Sequence, residues 1–223
     1  MKELFIWHYT INKLPKGVPE YLNTSFAEVF KPKKPMQDFD FSWVKYKWFL
    51  MEFPPTDEKL KLPTTLFLVI KNCKKPEFDY LDKKPEYKVF SQKLYDLLVN
   101  HGLNTAYEKA YLTLLNTKGE PIGLQPYYLL RFARFDDDLF DFHEESKIDG
   151  EIKGCYLYPN LTLKTKTNQD IFILEKNVCY STSLIITKPL KEAIEAICYE
   201  PEIYSIKEFP QVWNDSMNAW KKK

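Results

Sequence analysis

Six carboxylates fall within ten residues at Asp136-Asp137-Asp138-Leu139-Phe140-Asp141-Phe142-His143-Glu144-Glu145, with no Lys or Arg among them. Three kinds of chemistry suit that composition. Hard divalent cations take clustered carboxylates, and His143 adds a nitrogen donor. On that reading Asp136, Asp138, Asp141 and His143 serve a small metal-dependent hydrolase. The spacing is not that of an EF-hand loop, which needs a Gly and a closing bidentate Glu at fixed positions. A second reading makes Asp136, Asp137, Asp138, Asp141, Glu144 and Glu145 a partner-facing edge that mimics the phosphates of a nucleic acid. The third is a solvated turn anchored by Leu139, Phe140 and Phe142, because charge runs usually face water.

The remaining reactive side chains are more dispersed. His8 lies in an aromatic run and His101 on an apolar helix face, which makes both structural. Ser91 precedes a helix pattern and reads as its cap, and nothing resembles a nucleophile elbow. Cys73, Cys155, Cys179 and Cys198 lack a C-x-x-C pair and read as buried thiols. Trp43, Tyr46, Trp48 and Phe49 alternate with Lys45 and Lys47. That pattern suits base stacking or, better, core packing.

The elements that must position these residues follow from periodicity. Leu4 to Ile11, Phe41 to Phe53, Thr65 to Lys71 and Tyr127 to Phe135 read as strands. Thr24 and Ser25 read as caps of a short helix through Phe30. Lys31 to Asp40 reads as a loop, and Cys73 to Tyr87 as a linker. Cys155 to Tyr158, Leu161 to Lys164, Asp170 to Leu174 and Tyr180 to Ile186 predict a meander. Phe209 to Trp220 predicts an amphipathic helix, followed by a solvated Lys221-Lys222-Lys223 tail.

One piece of this grammar occurs twice. Val89-Phe90-Ser91 leads into a helix with Leu94, Leu97, Leu98 and His101 on one face, stopped by Gly102. Ninety-six positions later Ile185-Ile186-Thr187 leads into Leu190, Ala193, Ile194 and Ile197, stopped before Pro201. Ser91 and Thr187 are expected as equivalent N-caps.

Composition bounds the rest. The chain has 223 residues, 16% aromatic content, and 6 glycines against 15 prolines. That disfavours a glycine-rich nucleotide fold and allows a sizeable core. Net charge is +1, so there is no global pull towards nucleic acid or membrane. Yet residues 76–150 carry 14 acids against 9 Lys and Arg. No apolar run is long enough to span a bilayer. The expectation is a cytoplasmic α+β protein with a mostly antiparallel sheet. It has two equivalent strand–helix units and a C-terminal amphipathic helix. We expect a single domain over 1–223, with a β-rich subregion at 1–75 and a repeated part at 85–223.

This ordered pattern resembles predicted immunity proteins of bacterial polymorphic toxin systems. It is carried by Val89-Phe90-Ser91 with Leu94 and Leu98, by Tyr127-Tyr128-Leu129-Leu130 leading into Asp136 to Ser146, and by Asp170-Ile171-Phe172 leading to Ile185-Ile186-Thr187, Leu190 and Ile194. It covers roughly residues 85–212 and adds little before them. The later half departs from it at Pro189 and in lacking a Gly after Ile197. The resemblance implies a protein that binds and neutralises a toxin domain. It implies neither catalysis nor a cofactor. The toxin partner is expected to present a basic surface to the acidic run.

Overall fold

Thr65 to Ile70 is rich in β-branched and aromatic side chains, and it forms a strand that pairs on both sides. The computed structural model describes residues 2–10, 14–36 and 41–222. Its strands are β1 Leu4–Trp7, β2 Thr24–Ala27, β3 Thr65–Ile70, β4 Tyr80–Lys84, β5 Tyr87–Ser91, β6 Tyr107–Asn116 and β7 Tyr127–Phe132. After these come β8 Phe140–Asp141, β9 Ile148–Asp149, β10 Tyr156–Leu157, β11 Thr162–Leu163, β12 Ile171–Phe172, β13 Leu184–Thr187 and β14 Ile203–Ser205. The helices are α1 Gln92–Asn100, α2 Val178–Ser181, α3 Lys188–Ile197 and α4 Phe209–Lys221. The fold is α+β, its sheets are mostly antiparallel, and the C-terminal helix is present. Parts of three expected segments, Ile11, Gln37 to Asp40 and Lys223, lie outside the described residues.

The chain divides into two compact units. The first comprises Met1–Leu14, Asp96–Asn104 and Phe135–Lys223. The second comprises Pro15–Tyr95 and Thr105–Arg134.

The second unit holds a six-stranded sheet in the order β2-β3-β6-β7-β5-β4, with only β3 and β6 parallel. Arg131 is fully buried in it, opposite Glu108 in the β6–β7 register. A buried cation must be paired and hydrogen-bonded. Arg131 Nε donates to Glu108 at 2.8 Å, and its Nη atoms donate to the carbonyls of Trp43 at 2.6 Å and Leu60 at 2.7 Å. The guanidinium lies 4.5 Å from the Tyr46 ring centroid.

This clasp corrects the strand expected over Phe41 to Phe53. Ser42–Lys45 is a 3₁₀ turn instead, with Trp43 and Tyr46 buried at a spacing of three, where a strand would need two. Trp43 and Tyr46 are core residues, while Phe49 is exposed. Two further expectations fail in the same unit. Thr24 and Ser25 do not cap a helix; they lie buried in β2, paired to β3. The second half of the expected linker is β4, whose Tyr80 pairs with Phe90 of β5.

The first unit holds a four-stranded antiparallel sheet, β12-β13-β1-β14. Its core gathers Ile6, Phe140, Leu157, Phe172, Tyr180 and Ile185 with Phe209, Trp213 and Met217 of α4. The expected meander is corrected here. Of the four expected meander strands, β12 and β13 pair with each other, while β10 pairs with β9 and β11 with β8. The chain turns at Tyr158 to Leu161, and the Tyr158 amide is taken by the Tyr180 hydroxyl at 2.7 Å, not by a neighbouring strand.

The two strand–helix units are present, one beginning in each compact unit. In both, the hydroxyl residue ending the strand faces an Asp. The Ser91 amide donates to the Asp79 carbonyl, and its hydroxyl donates to the Asp79 carboxylate. The Thr187 amide and hydroxyl make the same two bonds to Asp170, at 3.0 and 2.6 Å. The capping differs. Ser91 Oγ also accepts from the Leu94 amide at 3.3 Å, as an N-cap should. Thr187 occupies the N-cap position of α3 without a side-chain cap bond. Pro189 at N2 has no N–H to offer, and the hydroxyl is directed to Asp170. Gly102, at φ +82°, ends α1 in a Schellman turn with Leu103 N–H on the Leu98 carbonyl.

Candidate partner-binding site

The acidic run divides according to which way each carboxylate faces. Asp136 is buried, and its amide bonds the Ile173 carbonyl at 2.8 Å. Its carboxylate accepts the Ile173 amide at 2.8 Å and Asn104 Nδ2 at 3.4 Å. Burial raises its pKa, and the bonds from Ile173, Gln169 and Asn104 offset that only in part. Asp137, half-buried, accepts the amides of Glu175 at 3.0 Å and Lys176 at 2.9 Å. These two acids therefore hold the chain from Ile173 to Lys176 through three main-chain donors.

Asp138, Asp141, Glu144 and Glu145 are exposed. The backbone beneath them is pinned by Phe140 and Phe142, both buried in the core. Phe140 lies edge-on to Phe172 at 5.1 Å and Phe142 to Tyr158 at 5.0 Å. Leu139 packs partly buried against the same core. His143 turns the loop with a left-handed φ of 47°; its amide donates to Asp141 Oδ1 at 3.0 Å and its carbonyl accepts from the Ser146 amide. Its ring lies 3.0 Å from Thr162 Oγ1 and 3.4 Å from Glu145.

Glu144 is the compensated member of this group. Lys176 pairs with it at 2.6 Å while lying 4.1 Å over the Phe142 ring. Lys147 and the Tyr158 hydroxyl lie 3.5 and 3.3 Å away. The Lys176 hydrogen bond leads in holding the Glu144 carboxyl below its ordinary value. Asp138, Asp141 and Glu145 are left as the outward-facing negative charges of the run.

Of the four residues considered for metal chemistry, Asp141 and His143 meet, with the ring 3.8 Å from the carboxylate, but Asp136 faces inward, Asp138 faces water, and His143 also bonds Thr162. Among the described residues no group of three His, Cys, Asp or Glu side chains is placed to hold a metal ion. His8 packs against Phe209 and Trp213 and meets Ser183 Oγ at 3.1 Å, with burial pulling its pKa down to about 4. His101 pairs with Asp170 at 3.1 Å.

Sequence reasoning missed that Lys176 joins the run, through Asp137 and Glu144. The only sequence signal was the Glu175-Lys176-Asn177 turn, which carries no mark of its distant partners. Among the described residues no helix is long and apolar enough to cross a membrane.

The model of the family Immunity protein 43 (Imm43) matches residues 10–220. The chain belongs to that family, and the match extends well beyond residues 85–212, into the N-terminal region. A comparison with curated proteins gives no match.

Proposed function

We propose that this chain is a non-enzymatic immunity protein that binds a cognate toxin domain and neutralises it by occlusion. Family membership supports the immunity role. The acidic loop supports the mode of binding. Asp138, Asp141 and Glu145 contact a basic surface on the toxin, with Asp137 and Glu144 at their margin. Asp136 acts beneath the surface, holding the loop. The observation that carries this reading is the fixed, outward-facing charge: exposed carboxylates stand on a backbone anchored by buried Phe140 and Phe142. An ordered loop loses little entropy on association, and complementary charge speeds encounter.

The test is protection in cells. A toxin domain sought in the reading frames adjacent to this chain's own is induced with wild-type protein or with the Asp138→Asn, Asp141→Asn, Glu145→Gln variant. Wild type should restore growth, and the folded triple variant should restore it less. Growth that stays arrested with abundant folded wild-type protein would refute the immunity role. Equal protection by both would remove the acidic loop from it.

A further inference from the structure

A second surface, in the six-stranded sheet of the second unit, has the properties of a protein contact. The register sets Thr65, Tyr111, Tyr128 and Phe90 abreast across β3, β6, β7 and β5. Lys109, two residues before Tyr111, lies on the same face, and Glu108 and Arg131 lie on the other. Tyr111 is 44% exposed, Thr65 and Lys109 are exposed, and Tyr95 and Tyr128 are half-buried.

The tyrosines are ordered before any partner arrives. Tyr95 meets Tyr128 edge-on at 5.1 Å, and Tyr111 meets Tyr128 edge-on at 6.1 Å. Tyr95 and Tyr107 share a hydroxyl hydrogen bond at 2.9 Å. The Lys109 ammonium sits 4.6 Å from the centroids of both Tyr95 and Tyr128. Among the described residues no carboxylate is paired with it. A cation fixed on aromatic faces, without an acidic neighbour, is complementary to a carboxylate from outside.

We propose that this face docks the cognate toxin through an acidic side chain flanked by apolar surface, with Lys109 taking the acid and Tyr111 and Tyr128 the apolar rim. The proposal rests on the immunity reading above. Tyrosine is enriched at interface hot spots because it offers large amphipathic area for few rotatable bonds.

The experiment identifies a toxin domain in the reading frames adjacent to this chain's own and measures affinity for it by titration calorimetry. It compares wild type, Lys109→Glu, Lys109→Gln, Tyr111→Ser and the acidic-loop triple variant, each checked for folding by circular dichroism. Lys109→Glu should weaken binding by at least about tenfold, and Lys109→Gln and Tyr111→Ser by less. The milder Lys109→Gln keeps the test valid should Lys109→Glu unfold. Wild-type affinity in all three, with loss in the acidic-loop variant, would overturn this proposal and leave the immunity reading standing. No binding by wild type would overturn both. Sedimentation of the free protein supplies the remaining arm: a dimer abolished by Lys109→Glu would assign the face to a second copy and overturn the toxin assignment.

Discussion

Asp136 and Asp137 are neighbours of Asp138, yet the three do different work. The first two point into the first unit and take the Ile173, Glu175 and Lys176 amides. Asp138, with Asp141 and Glu145, points to water. A run of like charge is therefore not one site. The inner carboxylates are needed because irregular chain leading into α2 leaves main-chain donors that a short element cannot satisfy for itself. Of the outer ones, Asp141 takes the His143 amide at 3.0 Å within its own turn, while Asp138 and Glu145 stand exposed at the surface.

The largest expected effect lies on the inner side. Asp136→Ala removes a buried acceptor and leaves the Ile173 amide unpaired, so the unfolding free energy should fall by roughly 2–3 kcal/mol. Urea denaturation measures it, and a loss under half a kcal/mol would erase the distinction. Asp137→Ala, at a half-buried position, resembles loss of a helix cap and should cost about 1 kcal/mol by the same measurement. Replacing Asp138, Asp141 and Glu145 together by Asn, Asn and Gln should change stability by no more than about 0.5 kcal/mol, as exposed positions do.

A finer test uses proton binding. Asp136 is held above its unfolded value, so its ionised form opposes folding and its contribution to stability improves as pH falls through its folded pKa. Glu144 is held below its unfolded value by Lys176. Its contribution is present above that unfolded value and is lost as pH falls through the folded one. Carboxyl carbon shifts followed by NMR should place Asp136 above the ordinary Asp range and Glu144 below the ordinary Glu range. The reverse order would contradict the assignment of inner and outer roles.

Much of the scaffold was legible. Thr65 to Lys71, the α1 stripe ending at Gly102 and the α4 stripe show in sequence because apolar period and stop residues set local structure directly. The pairing of Ser91 with Thr187 was legible as repeated grammar, but not the Asp79 and Asp170 carboxylates that receive their hydroxyls. Those contacts depend on strand register, which short apolar runs do not reveal. Phe41 to Phe53 was misread because the turn at Trp43 and Tyr46 is held by Arg131, which follows Trp43 by 88 residues, and composition carries no trace of that. The acidic run was visible as charge. Its division into inward and outward acids was not, since partners such as Ile173 and Lys176 become neighbours only on folding.

The most direct measurement is the association rate with a toxin domain sought in the reading frames adjacent to this chain's own, taken by stopped flow over a range of salt concentrations. Wild type should associate fast at low salt and slow as screening shortens to about 8 Å near physiological ionic strength. The Asp138→Asn, Asp141→Asn, Glu145→Gln variant should start slower and show a shallower salt dependence. A variant that matches wild type in both rate and slope would contradict the claim that the outward acids meet the toxin.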